Sequence, residues 1–102
     1  MSGFRDDQEV VTKTTQKVDV PKRFKVIILN DDYTSMEFVI YVLERVFNKP
    51  EQEAVTLTLA IHNSGSGVAG VYSREIAEMK EAIVIEMARS EEYPLRCLIE
   101  EE

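Results

Sequence analysis

The sequence predicts an α+β fold: one compact domain in the order β-α-α-β-α-β, with strand one central in a three-stranded sheet and the helices packed on it. Three observations lead there. At 102 residues the chain can bury one core but not a second lobe with a cleft between. Phe24-Lys25-Val26-Ile27-Ile28-Leu29 is nearly continuous in apolar, β-branched residues, as a strand buried on both faces or in mid-sheet would be. Beyond it, helix-start signals and weaker strand signals alternate. Two helices between strands one and two return the chain antiparallel, and one helix between strands two and three makes those two parallel. Strand one then lies between antiparallel neighbours, with a right-handed crossover laying the helices on the sheet.

The elements follow in order. Residues 1–20 are polar, lack an apolar period and end at Pro21, which reads as a flexible N-terminal arm ahead of a core at 21–102. After the strand Phe24 to Leu29, Asn30-Asp31-Asp32-Tyr33 has the composition of a turn. Thr34-Ser35-Met36-Glu37 matches a capping box in which Thr34 and Glu37 satisfy the free N–H groups of a helix start. Met36, Val39, Val42, Leu43, Val46 and Phe47 then form one apolar stripe. Asn48-Lys49 breaks the period. Pro50 at a first helical position, with Glu51 and Glu53 behind it, opens a second helix to about Asn63, and Gly65 stops it. Val68 to Tyr72 is a short strand. Ser73 caps a third helix to about Arg89, with Ile76, Ala77, Ile83, Val84 and Met87 on its buried face. Pro94 precedes the last strand, Leu95 to Ile99.

Composition excludes several classes of function. Twelve Lys plus Arg stand against 19 Asp plus Glu, a formal charge of −7, and residues 51–102 hold 11 of the acids against four bases. Lys22, Arg23 and Lys25 make the one tight basic group, too small for a phosphate-tracking stripe, so no nucleic-acid partner is expected. No apolar run approaches the ~20 residues that span a bilayer, and the charged start lacks the apolar core of an export signal. No membrane association is expected. One cysteine, Cys97, forms no internal disulfide, and with one histidine it completes no structural zinc site, which fits a reducing, cytoplasmic setting. In its apolar stretch Cys97 reads as a small core residue.

The residues able to do chemistry are few. Asn30, Asp31 and Asp32 lie where a core strand hands over to a helix, a rigid base for short polar side chains, although such residues also simply make turns and caps. His62 falls near the end of the second helix, where a histidine can also just complement the helix dipole. Neither Ser35 nor Ser64 sits in a Gly-x-Ser-x-Gly turn, so no nucleophile accompanies them and no catalytic residue is assigned. No His-Glu-x-x-His spacing marks a metal, and Gly65-Ser66-Gly67 lacks the lysine of a phosphate loop. One ligand suits what remains: a cationic head on an apolar body. Asn30, the acidic pair and a neutral His62 offer acceptors, and Met36, Val39, Ile61 and Leu95 can line an apolar hole or belong to the ordinary core. Taken by themselves, these residues define a small α+β binding module.

The segment Phe24 to Thr34, then Met36-Glu37-Phe38-Val39, His62, Gly65, Gly70-Val71-Tyr72, Glu75, Ala77-Glu78, Lys80 and Pro94-Leu95 together closely resemble the ClpS family over about residues 21–99. Members of that family are adaptors of the N-end rule, bringing substrates with destabilising N-terminal residues to a Clp-type AAA+ unfoldase. The resemblance implies a non-enzymatic protein without cofactor or metal, whose substrates begin with Leu, Phe, Tyr or Trp. It assigns Asn30, Asp31 and His62 to the substrate's α-ammonium, with Asp32 and Thr34 shaping the entrance. Met36, Val39, Ile61 and Leu95 match the wall of the apolar pocket. Glu75 and Lys80 match part of the unfoldase-facing surface, and the N-terminal arm matches one with a role in delivery. Thr58 departs from the pattern, since relatives usually carry methionine there; a shorter, branched threonine loosens that wall toward Ile, Val or Met termini. Met79 stands where threonine is commoner. Two competing readings remain open to experiment: a small interaction module docking on a large assembly without reading N-termini, and a metal-dependent hydrolase using Asp31, Asp32 and His62.

Overall fold

Strand β1 (Phe24–Leu29) lies between β2 (Ser66–Tyr72) and β3 (Arg96–Glu101), antiparallel to both, in a computed structural model that describes residues 20–102. The expected arm therefore falls almost wholly outside the described residues. The helices are α1 (Met36–Arg45), α2 (Glu51–Ser64) and α3 (Arg74–Ser90), giving the order β-α-α-β-α-β that the sequence predicts. The register runs from Phe24 opposite Tyr72 and Glu101 to Leu29 opposite Ser66 and Arg96. A bulge between Val26 and Ile27 leaves Ala69 as the extra residue of β2.

Alternation along β1 sets where the core sits. Val26 and Ile28 are fully buried, packed with Val42 and Leu43 of α1 and Val84 of α3. Ile27 and Leu29, on the opposite face, are only half-buried, and Val68 and Leu98 beside Ile27 are exposed. The near-continuous apolar run thus reflects a mid-sheet position rather than burial on both faces.

Each helix starts and stops for a local reason. The Ser35 hydroxyl caps α1 by accepting from Phe38 N–H at 3.1 Å, and Ser73 caps α3 by accepting from Ile76 N–H at 3.3 Å. The first cap lies one residue later than the expected capping box, because the Thr34 hydroxyl is engaged by Asp31 instead. Pro50 is the N-cap of α2 rather than its first helical residue; it offers no side-chain acceptor, and Glu51 and Glu53 supply the negative charge. Gly65 ends α2 at φ 100°, a left-handed conformation that glycine adopts without steric cost. The buried face of α3 is Ala77, Val84 and Ala88, with Met87 half-buried; Ile76 and Ile83 are 38% and 42% exposed, a correction to the expected stripe. They lie on the border of the stripe, and small alanines let α3 approach the sheet closely.

Candidate functional site

The site is assembled where β1 ends. Asn30 follows the last residue of β1, and its backbone N–H donates to the Gly65 carbonyl at 2.9 Å. This bond ties the 30–34 turn to the last turn of α2, which carries His62. Ser35, the cap of α1, also accepts from the Tyr93 hydroxyl at 3.2 Å, and Tyr93 packs against Phe38 with ring centroids 4.9 Å apart. The turn is therefore anchored on both sides. Gly67 of β2 lets α2 sit down on the sheet: a Cβ there would come within 2.7 Å of Ile61 Cγ1.

Asp31 organises the turn. Its carboxylate accepts the backbone N–H of Tyr33 at 2.8 Å, the backbone N–H of Thr34 at 2.7 Å and the Thr34 hydroxyl at 2.8 Å. Burial pulls its pKa upward, but these hydrogen bonds outweigh burial and hold the carboxyl below its ordinary range. Asp31 is accordingly an anion at neutral pH.

Nine of the residues singled out in the sequence line one cavity of about 160 Å3: Asn30, Asp31, Asp32, Thr34, Met36, Val39, Thr58, Ile61 and His62. Asn30, Asp32 and His62 are exposed, whereas Val39, Thr58 and Ile61 are buried. The arrangement is a polar, anionic rim over a mainly apolar floor, with no Lys or Arg in the lining. A cavity of about 150 Å3 holds a benzene molecule, so this one has the volume for a single six-membered ring. Its chemistry favours a ligand that brings a positive charge to the rim and an apolar group to the floor.

Three assigned residues lie elsewhere. Leu95 is 4% exposed and does not line this cavity; it borders a separate hollow with Ala88 and Tyr93. It precedes β3, whose first residue, Arg96, pairs with Leu29, so Leu95 packs near the site-bearing end of the sheet without entering the wall. Glu75 is exposed in the first turn of α3. Lys80 is half-buried, its ammonium donating to the Val46 carbonyl at 2.7 Å and lying 5.1 Å from the Tyr72 ring centroid. The supporting parts that sequence reasoning missed are the Asn30 to Gly65 tie and the Ser35 to Tyr93 anchor. The adjacent cap-competent pair Thr34-Ser35 was the only local sign that one of the two is used elsewhere. Among the described residues no group of three or more His, Cys, Asp or Glu is placed to hold a metal ion, and no helix is long and apolar enough to cross a membrane.

An acceptor-rimmed apolar cavity on a small β-α-α-β-α-β module defines a class of binding module for a cationic head with an apolar body. Comparison with known proteins narrows the class. Residues 19–98 match the family model described as ATP-dependent Clp protease adaptor protein ClpS. The ClpS adapter protein of Desulfatibacillum aliphaticivorans is 52% identical over 94 residues, 92% of this chain and 90% of the relative. That of Phenylobacterium zucineum is 47% identical over 101 residues, 99% of this chain and 93% of the relative. Among solved structures, Agrobacterium tumefaciens ClpS2 bound to L-phenylalaninamide superposes with a TM-score of 0.78 at 38% identity, covering 81% of this chain and all of that one. The chain belongs to the ClpS family of Clp protease adaptors.

Proposed function

We propose that the protein captures the free α-amino terminus of N-degron substrates that begin with a bulky apolar residue and delivers them to a Clp-type AAA+ unfoldase. The observation that carries this reading is the single cavity shared by the anionic rim and the apolar floor. An α-amino group has a pKa of about 8 and is mostly an ammonium at neutral pH, so it seeks acceptors. Asn30 and His62 accept from it at the rim, Asp31 supplies the negative field, and Asp32 and Thr34 shape the entrance. The first side chain, Leu, Phe, Tyr or Trp, enters between Met36, Val39, Thr58 and Ile61. L-phenylalaninamide, the compound bound to the Agrobacterium relative, combines such an amine with a benzyl group.

No bond is made or broken in this scheme. The protein acts without catalytic residues or a cofactor, and the ATP chemistry belongs to the partner. Glu75 and Lys80 contribute to the unfoldase-facing surface of α3. The setting is cytoplasmic, where the lone thiol of Cys97 stays reduced.

Charge-assisted hydrogen bonds contribute roughly 1.5–3 kcal/mol each, so acetylating the amine should weaken binding at least ~100-fold. The test is titration of a short Phe-leading peptide, free and N-acetylated, into the protein and into His62→Ala. The free peptide should bind the native protein far more tightly than the acetylated one, and His62→Ala should weaken the free peptide selectively. Equal binding of the two peptides would remove the mechanism.

A further inference from the structure

Thr58 occupies the middle of α2, one turn before His62, and is 2% exposed. Among the described residues its hydroxyl oxygen is the buried side-chain polar atom left without a hydrogen-bond partner. That is an unusual position for threonine, whose hydroxyl in a helix commonly closes back on the carbonyl four residues earlier. A buried hydroxyl that makes no bond is costly, and such an atom in a native fold calls for a partner. Thr58 borders the cavity together with the apolar side chains of Val39 and Ile61. The oxygen itself is shielded in this rotamer, so rotation about the Cα–Cβ bond, which exchanges hydroxyl and methyl, is what presents it to an occupant of the cavity.

We infer that Thr58 reads the tip of the captured side chain: its hydroxyl pairs with the phenol oxygen of an N-terminal tyrosine, so the pocket favours a phenol over the bare ring of phenylalanine. The geometry is consistent from rim to floor. Thr58 lies one helical turn, about 5.4 Å, along α2 from His62 at the rim. A ring side chain spans a similar length from its α-carbon. The cavity volume of about 160 Å3 suits one six-membered ring. Threonine and phenol hydroxyls each donate and accept, so the pair is satisfied in either direction. Leucine and phenylalanine leave Thr58 unanswered, which costs them relative to tyrosine rather than excluding them.

Thr58 plays this part only in a protein that captures chain starts as proposed above, so the experiment separates the two. Peptides identical except for Tyr or Phe at position one are titrated into the native protein, Thr58→Val and Thr58→Ser, each also in N-acetylated form. Valine keeps the shape and removes the hydroxyl; serine keeps the hydroxyl. The preference for Tyr over Phe should fall roughly 3- to 10-fold in Thr58→Val and persist in Thr58→Ser. Because each preference is a ratio within one protein, partial loss of folded material cancels. An unchanged ratio in Thr58→Val overturns the inference, as does an equal loss in Thr58→Ser, which would make side-chain volume the determinant. If acetylated peptides bind as tightly as free ones, the capture reading itself falls; if acetylation still abolishes binding while the Tyr to Phe ratio ignores Thr58, only the role of Thr58 falls.

Discussion

The carboxylate of Asp31 holds Thr34 by both of its donors, the backbone N–H at 2.7 Å and the hydroxyl at 2.8 Å. A residue that a capping-box reading places at a helix start is thus committed to the turn, and the Asp31 charge is fixed beside the rim. Removing one donor with Thr34→Val should raise the Asp31 pKa toward the ordinary carboxylate value, because hydrogen bonds hold it down against burial. Titration of the Asp31 carboxyl by NMR in the two proteins checks this. Affinity for a Phe-leading peptide should fall roughly 3- to 10-fold, the loss of one hydrogen bond's ordering of the turn. An Asp31 titration that ignores the hydroxyl would contradict it.

The pH dependence has two limbs with different owners, capture on the alkaline side and stability of the turn on the acid side. On the alkaline side the peptide's amine loses its proton near pH ~8, and binding should decline from there upward. For the turn itself the group that titrates in acid is Asp31, whose carboxyl the hydrogen bonds from Thr34 and Tyr33 hold below the ordinary carboxylate value against the pull of burial. A depressed carboxyl contributes stability above its unfolded pKa and loses that contribution as pH falls through the folded value. Asp31 should therefore support the turn throughout the neutral range and fail only in strong acid. Peptide affinity followed from pH 7 to 10 tests the first limb; urea denaturation of native protein and Asp31→Asn between pH 2 and 6 tests the second. The two proteins should converge in stability only at the acid end.

The order of elements was legible because β1 is a dense apolar strand and its neighbours carry strong stop and start signals in Gly65, Ser73 and Pro94. Nine cavity residues were legible too, through the resemblance of the Asn30 to Thr34 segment and its surroundings. What was not legible depends on tertiary geometry. Leu95 has the right chemistry for a wall but packs one step before β3, in a different hollow. Thr34 and Ser35 are both good caps, and only the position of Asp31 decides between them. The orphaned Thr58 hydroxyl cannot be anticipated from sequence, since helical threonines ordinarily find a backbone acceptor.

Thr58 also bears on side-chain shape. It stands on the cavity wall where a methionine would extend further, so β-branched chain starts should be less strongly rejected than they would be with methionine there. Thr58→Met should lower affinity for Ile- and Val-leading peptides relative to Leu-leading ones. One methylene in an apolar pocket is worth about 1–3 kcal/mol, so a shift of tenfold or more in the ratio is the expected scale. Fluorescence anisotropy with the three peptides measures it; an unchanged ratio of Ile to Leu affinity would show that another residue sets the shape.

Cys97 should be inert in the folded protein. It is buried in β3, and burial first, then the carboxylate of Glu81, push its thiol to about 11. At pH 8 roughly one molecule in a thousand then carries the reactive thiolate. Iodoacetamide at pH 8 should leave the native thiol unmodified over hours and alkylate it within minutes in denaturant, as read by mass spectrometry. Rapid labelling of the native protein would mean that β3 opens readily at its edge of the sheet.

Lys80 has a structural occupation that any test of its partner role must separate. Its ammonium donates to the carbonyl of Val46, the C-cap of α1, at 2.7 Å, and lies 5.1 and 5.8 Å from the Tyr72 and Phe47 ring centroids. The bond satisfies one of the free carbonyls at a helix end and ties α3 to α1. Lys80→Met keeps most of the chain's apolar contact and removes the charge, so it should cost about 1–2 kcal/mol in urea denaturation, the lower part of the range for a hydrogen bond to a charged group because the site is half-exposed. Glu75→Ala, at an exposed first-turn position, should stay within about 0.5 kcal/mol of the native protein. If both residues meet the unfoldase, Glu75→Ala should weaken delivery of a Phe-leading substrate without changing stability, while Lys80→Met should weaken both. A Lys80→Met protein as stable as the native one would free Lys80 from this structural duty and leave its ammonium to the partner alone.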